Sequence, residues 1–322
     1  MSVVKSFSVG NGDMFYVNHN SDNFTIIDCC LPEDVADQII SEIKAKQRAK
    51  GISRFISSHP DEDHLSGLEL LDQHLSIVNF YCVKNSATKD DETDDFKKYC
   101  ELRDSDKAFF IHKGCTRKWM NLEDETRASS GIMVHWPDTT NQEFKLALKD
   151  AAQGLSPNNI SPIIEYFDPA GKFIWMGDLE TKFMENIADA LSLPKATVLF
   201  APHHGRDSGK VPAELLEEMD PKIIVIGEAP SAHLNYYAGY NTITQNSAGD
   251  IIFDCAKDYI DIYVSNKFYS VTFLVNRWLA NNHEAYYLGK GYPLSSTCGR
   301  ISECRTTLSK LQQIIPPIGA NF

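Results

Sequence analysis

Apolar and β-branched residues cluster in short runs at 3–8, 14–17 and 24–28, parted by Gly-Asn-Gly and by Asn/Ser-rich turns, which predicts an opening β-meander. The period then changes. Across 33–50, Val35, Ile39, Ile40 and Ile43 form one apolar stripe behind Pro32, with acids in the first turns, bases in the last and Gly51 as the stop. Such a pattern predicts a helix lying on a sheet. A strand at 53–58 leads directly into a helix at 65–71. Residues 90–125 are charged and weakly patterned, and are expected to form a solvated excursion with a helix near 96–102. Strand signals return at 132–136, 161–167 and 172–176. Helix 181–191, strand 196–200, helix 212–219 and strand 222–226 then alternate, and strands at 251–255, 259–264 and 269–275 close the run.

No internal repeat and no low-complexity linker interrupts this order. It suits an α/β fold of two sheets packed face to face with helices outside. One domain is expected over 1–280, with 90–125 as its insertion, followed by a Gly-, Ser- and Cys-rich appendage of unassigned role at 281–322.

Composition narrows the partners. The chain has 322 residues, 43% apolar and 23% charged, enough for a sizeable core and unlike a disordered chain. A net charge of −13 argues against nucleic-acid binding through a broad basic face, although metal ions in a cleft would reverse the sign locally. No stretch reaches the apolar run of about 20 residues that a membrane helix requires, and residues 1–10 lack the basic and apolar regions of a secretory signal. The eight cysteines contain no Cys-x-x-Cys pair, so reduced thiols, a cytoplasmic location and no membrane partner are expected.

The informative segment is Ser58-His59-Pro60-Asp61-Glu62-Asp63-His64. His59, Asp61, Asp63 and His64 stand on a loop between a strand end and a helix start, where rigid elements on both sides can aim them into one cleft. Imidazole with carboxylate suits Zn²⁺, Mn²⁺ or Fe²⁺ better than Ca²⁺. Two later strands end in Gly177-Asp178 and in His203-His204-Gly205, and these could converge on the same cleft. Alone, each has a bland reading: carboxylates cap helices, Gly-Asp is an ordinary strand exit, and His-His can be a polar loop.

Together these motifs resemble the metallo-β-lactamase-fold hydrolases, whose signature is His-x-His-x-Asp-His, a later Asp and a final His. The similarity is greatest to the hydrolase domain of the competence DNA-uptake (ComEC-type) subfamily, which also has Asp at the second position and His-His-Gly as its last motif. Val9-Gly10-Asn11-Gly12-Asp13, Ile26-Ile27-Asp28 and Asn158-Asn159-Ile160-Ser161 resemble its other segments, and the likeness spans about residues 1–230. The resemblance implies an αββα sandwich of two mixed sheets. It also implies two divalent ions, Zn²⁺ with Mn²⁺ left open: His59 and Asp61 on one, Asp63 and His64 on the other, Asp178 between them. His203 or His204 completes the set. Side chains alternate at a strand end, so only one of that pair is expected to bind directly, and His203 is favoured. Asp28 would orient a metal-bound His, and Asn159 and Ser161 would serve the second shell or the substrate. No His occupies the position usual between the first motif and the bridging Asp; His135 reads as structural.

Such ions would acidify a water to attack a phosphodiester. Asp63 and Asp178 are then catalytic, with His204 or His233 as acids, and Tyr236, Tyr237 and Tyr240 could stack on a base. The leading expectation is a phosphodiesterase or nuclease for a small nucleotide or nucleic-acid substrate, the acidic surface favouring the smaller. Alternatives are a lactone, β-lactam or thioester hydrolase on the same fold, an iron–oxygen reductase, for which no flavodoxin-like segment follows, and a metal-stabilised binding protein. A protein partner would meet the chain through 90–125 or the C-terminal tail.

Overall fold

The computed structural model describes residues 1–229, 235–275, 283 and 285–291. The meander is β1 (Ser2–Ser6), β2 (Phe15–Asn18) and β3 (Asn23–Ile27), followed by α1 (Ala36–Gln47) and β4 (Ile52–Ile56). Two helices, α2 (Glu62–Leu65) and α3 (Leu68–Leu75), come next, then β5 (Phe80–Cys82), α4 (Asp94–Arg103) and β6 (Ala108–Phe110). The second half contains β7 (Ile132–Trp136), α5 (Gln142–Ala152), β8 (Ile163–Asp168), β9 (Gly171–Trp175), α6 (Thr181–Ile187) and β10 (Val198–Phe200). It continues through α7 (Ala213–Met219), β11 (Ile223–Ile226), β12 (Thr242–Thr244), α8 (Gln245–Ala248), β13 (Ile251–Cys255), β14 (Ile260–Val264) and β15 (Tyr286–Gly291).

Among the described residues the strands form two mixed sheets, ordered β15-β14-β13-β1-β2-β3-β4-β5-β6 and β12-β11-β10-β9-β8-β7. Period-two alternation decides which residue faces which layer. On β2, Phe15 and Val17 point at the second sheet while Tyr16 points outward; on β4, Ile56 points in and Phe55 out. The outward face is covered by Ile39, Ile40 and Ile43 of α1 with Leu68 and Leu71 of α3. Phe144 of α5, Met184 of α6 and Leu216 of α7 cover the second sheet. Two sheets packed together with helices outside is the expected sandwich.

Several local expectations change. Residues 90–125 are largely exposed and contain the expected helix as α4, but they are also anchored: Phe96, Tyr99 and Leu102 of α4 are buried, and β6 pairs in parallel with β5 as the sheet's edge. The helix expected after β4 breaks in two, because Gly67 takes φ +85° and a side chain there would meet Leu31 at 2.6 Å. Residues 269–275 do not form a strand; only Val275 bridges, to Lys290. The first sheet continues past 280, since β15 pairs antiparallel with β14.

Strand polarity locates the chemistry. β3, β4 and β5 run parallel, as do β9, β10 and β11, so their carboxyl ends open on one edge of the sandwich. In open α/β sheets that edge is where ligands bind.

His135 does belong to the framework: its Nε2 lies 2.7 Å from Glu165 Oε2, and Lys172 Nζ lies 3.1 Å from the other oxygen. Burial alone would raise the Glu165 pKa, but the His135 and Lys172 bonds outweigh it and hold the carboxyl below its usual range. A folded-state pKa below the unfolded one contributes stability at neutral pH that is lost as pH falls through the folded value. Glu165→Gln should therefore lower Tm at pH 7 and flatten the acidic limb of the Tm–pH profile, as read by calorimetry between pH 3 and 7.

Candidate metal centre

Asp178 follows β9 directly, is 2% exposed, and lies within 4.0 Å of four imidazoles. His64 Nε2 is 3.0 Å from its Oδ1; His203 Nε2 at 3.6 Å, His204 Nε2 at 3.7 Å and His59 Nε2 at 4.0 Å surround its Oδ2. Residues from the ends of β4, β9 and β10 thus meet around one carboxylate.

The other imidazole nitrogens are already committed, which sets the ring orientations. His64 Nδ1 donates to Asp28 Oδ2 at 2.9 Å. Ser58 Oγ donates to the same oxygen at 2.7 Å and so can only accept from His59 Nδ1, at 3.0 Å. One carboxylate therefore orients both rings so that each Nε2 faces Asp178, an arrangement typical behind metal-binding imidazoles. His59 Nε2 is buried without a hydrogen-bond partner, and His64 Nε2 and Asp178 Oδ1 are buried facing only each other, at 3.0 Å. Orphaned buried polar atoms are costly, and a cation among them is what the donor set fits.

Asp13, Asp178, His64 and His204 offer ligand atoms lying within 4.8 Å of one another. Asp13 was not among the residues expected at the site. Its carboxylate accepts from His204 Nδ1 at 3.2 Å, as Asp28 does from His64. The Gly-Asn-Gly-Asp turn between β1 and β2 was read as a turn and as part of the family likeness, with no role given to Asp13. Its backbone is pinned by Asp13 N–H donating to Asp63 O at 3.1 Å, and Gly12 has no room for a Cβ against that same oxygen, at 2.6 Å.

Electrostatics follow the geometry. Burial, then His64, depresses the His59 pKa to about 4. Burial would also lower His204, but Asp13 and Asp63 outweigh it and carry the imidazole up to about 10. Asp63 Oδ2 is 3.2 Å from His204 Nε2; burial would raise the carboxyl, yet the bond from His204 and the charge of His64 bring it to about 2. On Asp178 burial acts upward, but His64 and the other imidazoles outweigh it and hold the carboxyl well below its ordinary value. The negative charge that keeps protons on His64 and His204 is the charge that would favour a dication in their place.

The alternation expected at 203–204 does not occur. His203, His204 and Gly205 take φ of +52°, +55° and +83°, a left-handed run that turns both imidazoles to Asp178. Such backbone costs of order 1–3 kcal/mol at each non-glycine residue. His203 N–H donates to Gly177 O at 3.0 Å, tying the loop to β9. His203 Nδ1 is held by Ser208 Oγ at 3.0 Å, and its side chain is 14% exposed whereas His204 is enclosed.

The remaining expected residues fall in three places. Ser161 Oγ accepts from Asp178 N–H at 3.1 Å, and Asn159 exchanges two hydrogen bonds with Glu180, so both hold the backbone around Asp178. Asp61 stands apart from the cluster: it caps α2 through Glu62 N–H at 2.9 Å and pairs with Lys89 at 3.0 Å. Tyr237 is buried, its hydroxyl accepting from Val211 N–H at 3.2 Å, and Tyr236 packs half-buried on the same core, so Tyr237 offers no face for stacking. Tyr240 lines a separate cavity with Leu216 and Asp220, and His233 lies outside the described residues.

Asp28→Asn should weaken Zn²⁺ affinity by about 10–100-fold, the usual cost of losing an outer carboxylate. Competition with a chromogenic chelator measures this, with circular dichroism confirming an unchanged fold; an unaltered affinity would contradict the role drawn for Asp28.

A comparison with curated proteins gives no match. Among the described residues no helix is long and apolar enough to cross a membrane. The family model of the metallo-beta-lactamase superfamily matches residues 8–227, a span that runs from the Asp13 turn to the end of β11 and includes every residue of the cluster. The chain belongs to the metallo-beta-lactamase superfamily.

Proposed function

We propose that the chain is a divalent-metal-dependent phosphodiesterase, with a nucleotide or short single-stranded nucleic acid as its substrate. The observation that carries the metal-dependent part is the cluster of His64, His204, Asp13 and Asp178, whose ligand atoms lie within 4.8 Å of one another, with the unpartnered His59 Nε2 buried beside it. Support for a phosphodiester comes from the likeness of Asp61 and of His203-His204-Gly205 to the ComEC-type hydrolases, and from the charges nearby. Arg206, beside His203, is hydrogen-bonded to Asn11 and has no carboxylate partner among the described residues. Lys89 lies on the Asp61 side of the motif. Arg206 free of a carboxylate, with Lys89 near by although paired with Asp61, on a chain of net charge −13 suits an anionic substrate better than a lactam or lactone.

His64, His204 and Asp178 would hold one ion, and His59, His203 and Asp178 would flank a second. Bound divalent cations would polarise a phosphoryl oxygen and lower the pKa of a water molecule. The chain's own residues do the positioning. Asp28, through His64 and through Ser58 to His59, and Asp13, through His204, orient the rings so that each Nε2 faces the pocket. Asp63, 24% exposed at the start of α2, can accept a hydrogen bond from the attacking water and orient it. Arg206 binds a non-bridging oxygen, and burial of Asp178 excludes bulk water from the floor.

The full chain, loaded with Zn²⁺ or Mn²⁺, should hydrolyse bis(p-nitrophenyl) phosphate and a single-stranded oligonucleotide, and should lose both activities on chelation and in Asp178→Asn. Arg206→Ala should raise KM for the oligonucleotide more than it lowers kcat. Turnover of a lactone, β-lactam or thioester with no phosphodiesterase activity would overturn the substrate class.

A further inference from the structure

The first motif contributes unequally to the pocket. His59, Asp63 and His64 face Asp178 or its imidazoles, whereas Asp61 faces Lys89. His59 Nε2 is buried, carries no hydrogen bond, and has Asp178 Oδ2 only at 4.0 Å. His203 Nε2 reaches the same oxygen at 3.6 Å. Two nitrogens thus approach one carboxylate oxygen without closing to the mutual 4.8 Å of the His64–His204–Asp178 cluster, and Asp61, two residues from His59, is engaged elsewhere. Its Oδ1 accepts from both Glu62 N–H and Lys89 Nζ.

We propose that Lys89 is a counter-ion latch on Asp61: it occupies the carboxylate that would complete the cation position beside His59, and that position fills when an anionic substrate draws the ammonium away. The inference rests on the metal-dependent reading above. Lys89 is suited to such a switch. Its side chain is 21% exposed, it makes a second, longer contact with Glu62 at 3.8 Å, and its ammonium stands 5.5 Å from the Phe96 ring centroid. It borders an open cavity of about 340 Å³ shared with Pro60, Asp61 and Phe96, so the flexible stem has room to swing. An ammonium and a dication compete for one carboxylate by charge alone, and a phosphodiester anion offers the ammonium an equivalent partner. The position formed by His64, His204 and Asp178 has no lysine or arginine in contact with its carboxylate among the described residues and is ready to load first.

Calorimetric titration of the chelator-treated full chain with Zn²⁺ tests this without relying on turnover. The wild type should take up one tight equivalent and a second, weaker one, and excess dimethyl phosphate, a hydrolysis-resistant phosphodiester, should tighten only the second. Lys89→Met should tighten the second step by about tenfold, as expected for losing one charge several ångströms away, and should abolish the effect of dimethyl phosphate. Lys89→Arg should restore the weak step, and Asp61→Asn should remove it. Lys84→Met, which removes a lysine not paired with Asp61, should titrate like the wild type. Identical titrations of wild type and Lys89→Met, or the same shift in Lys84→Met, would overturn the latch while leaving the metal-dependent reading standing. No Zn²⁺ uptake by any variant would overturn both.

Discussion

A carboxylate buried beneath four imidazoles is the constraint around which this molecule is organised. Asp178 cannot sit at 2% exposure in a pocket of histidines unless something balances charge and satisfies lone pairs. The surrounding network does half of that work. Asp28, through His64 directly and through Ser58 to His59, and Asp13, through His204, lock the outer nitrogens. The inner nitrogens are left to the pocket. The result is a preorganised concavity of polar groups, which a divalent cation can exploit and an apolar core could not tolerate.

The fold exists to hold that geometry. Parallel β3–β4 and β9–β10 bring Asp28, His59, Asp178 and the two adjacent histidines to one edge from positions far apart in sequence. Strain accumulates at the same edge. Asp28 has φ +56°, His203 +52° and His204 +55°, a region that costs residues other than glycine. Gly177 is required because a Cβ there would meet Ser161 Oγ at 2.6 Å, and that hydroxyl accepts from Asp178 N–H. Local instability concentrated around reactive groups is what a site optimised for chemistry rather than packing produces.

Much of this was legible before the structure. The layers and most strands followed from period-two runs, because two-sided burial makes each strand a dense apolar word; residues 132–136 and 251–255 coincide with β7 and β13. The missed elements are those whose order comes from their neighbours. β5 and β6 have three residues each, too few to show a period, and are strands because β4 offers an edge. α5 had a readable signal, Asn141 capping Phe144 N–H and Phe144, Ala147 and Ala151 on one face, but it followed a weakly patterned stretch. Within the site, residues one to five apart in one motif could be recognised by type. Their directions could not: Asp61 turning outward to Lys89, and the left-handed loop that defeats alternation at 203–204, are tertiary outcomes. Asp13 was hidden because a turn aspartate looks the same whether it caps a loop or orients a histidine.

Zinc K-edge X-ray absorption on the loaded full chain tests the central claim most directly, since it reads the atoms around the ion. Imidazoles and carboxylates gathered around Asp178 predict a first shell of nitrogen and oxygen at about 2.0–2.2 Å, with the outer-shell scattering of histidine rings. A shell containing sulfur near 2.3 Å, from a cysteine such as Cys30, or one without imidazole scattering, would contradict it.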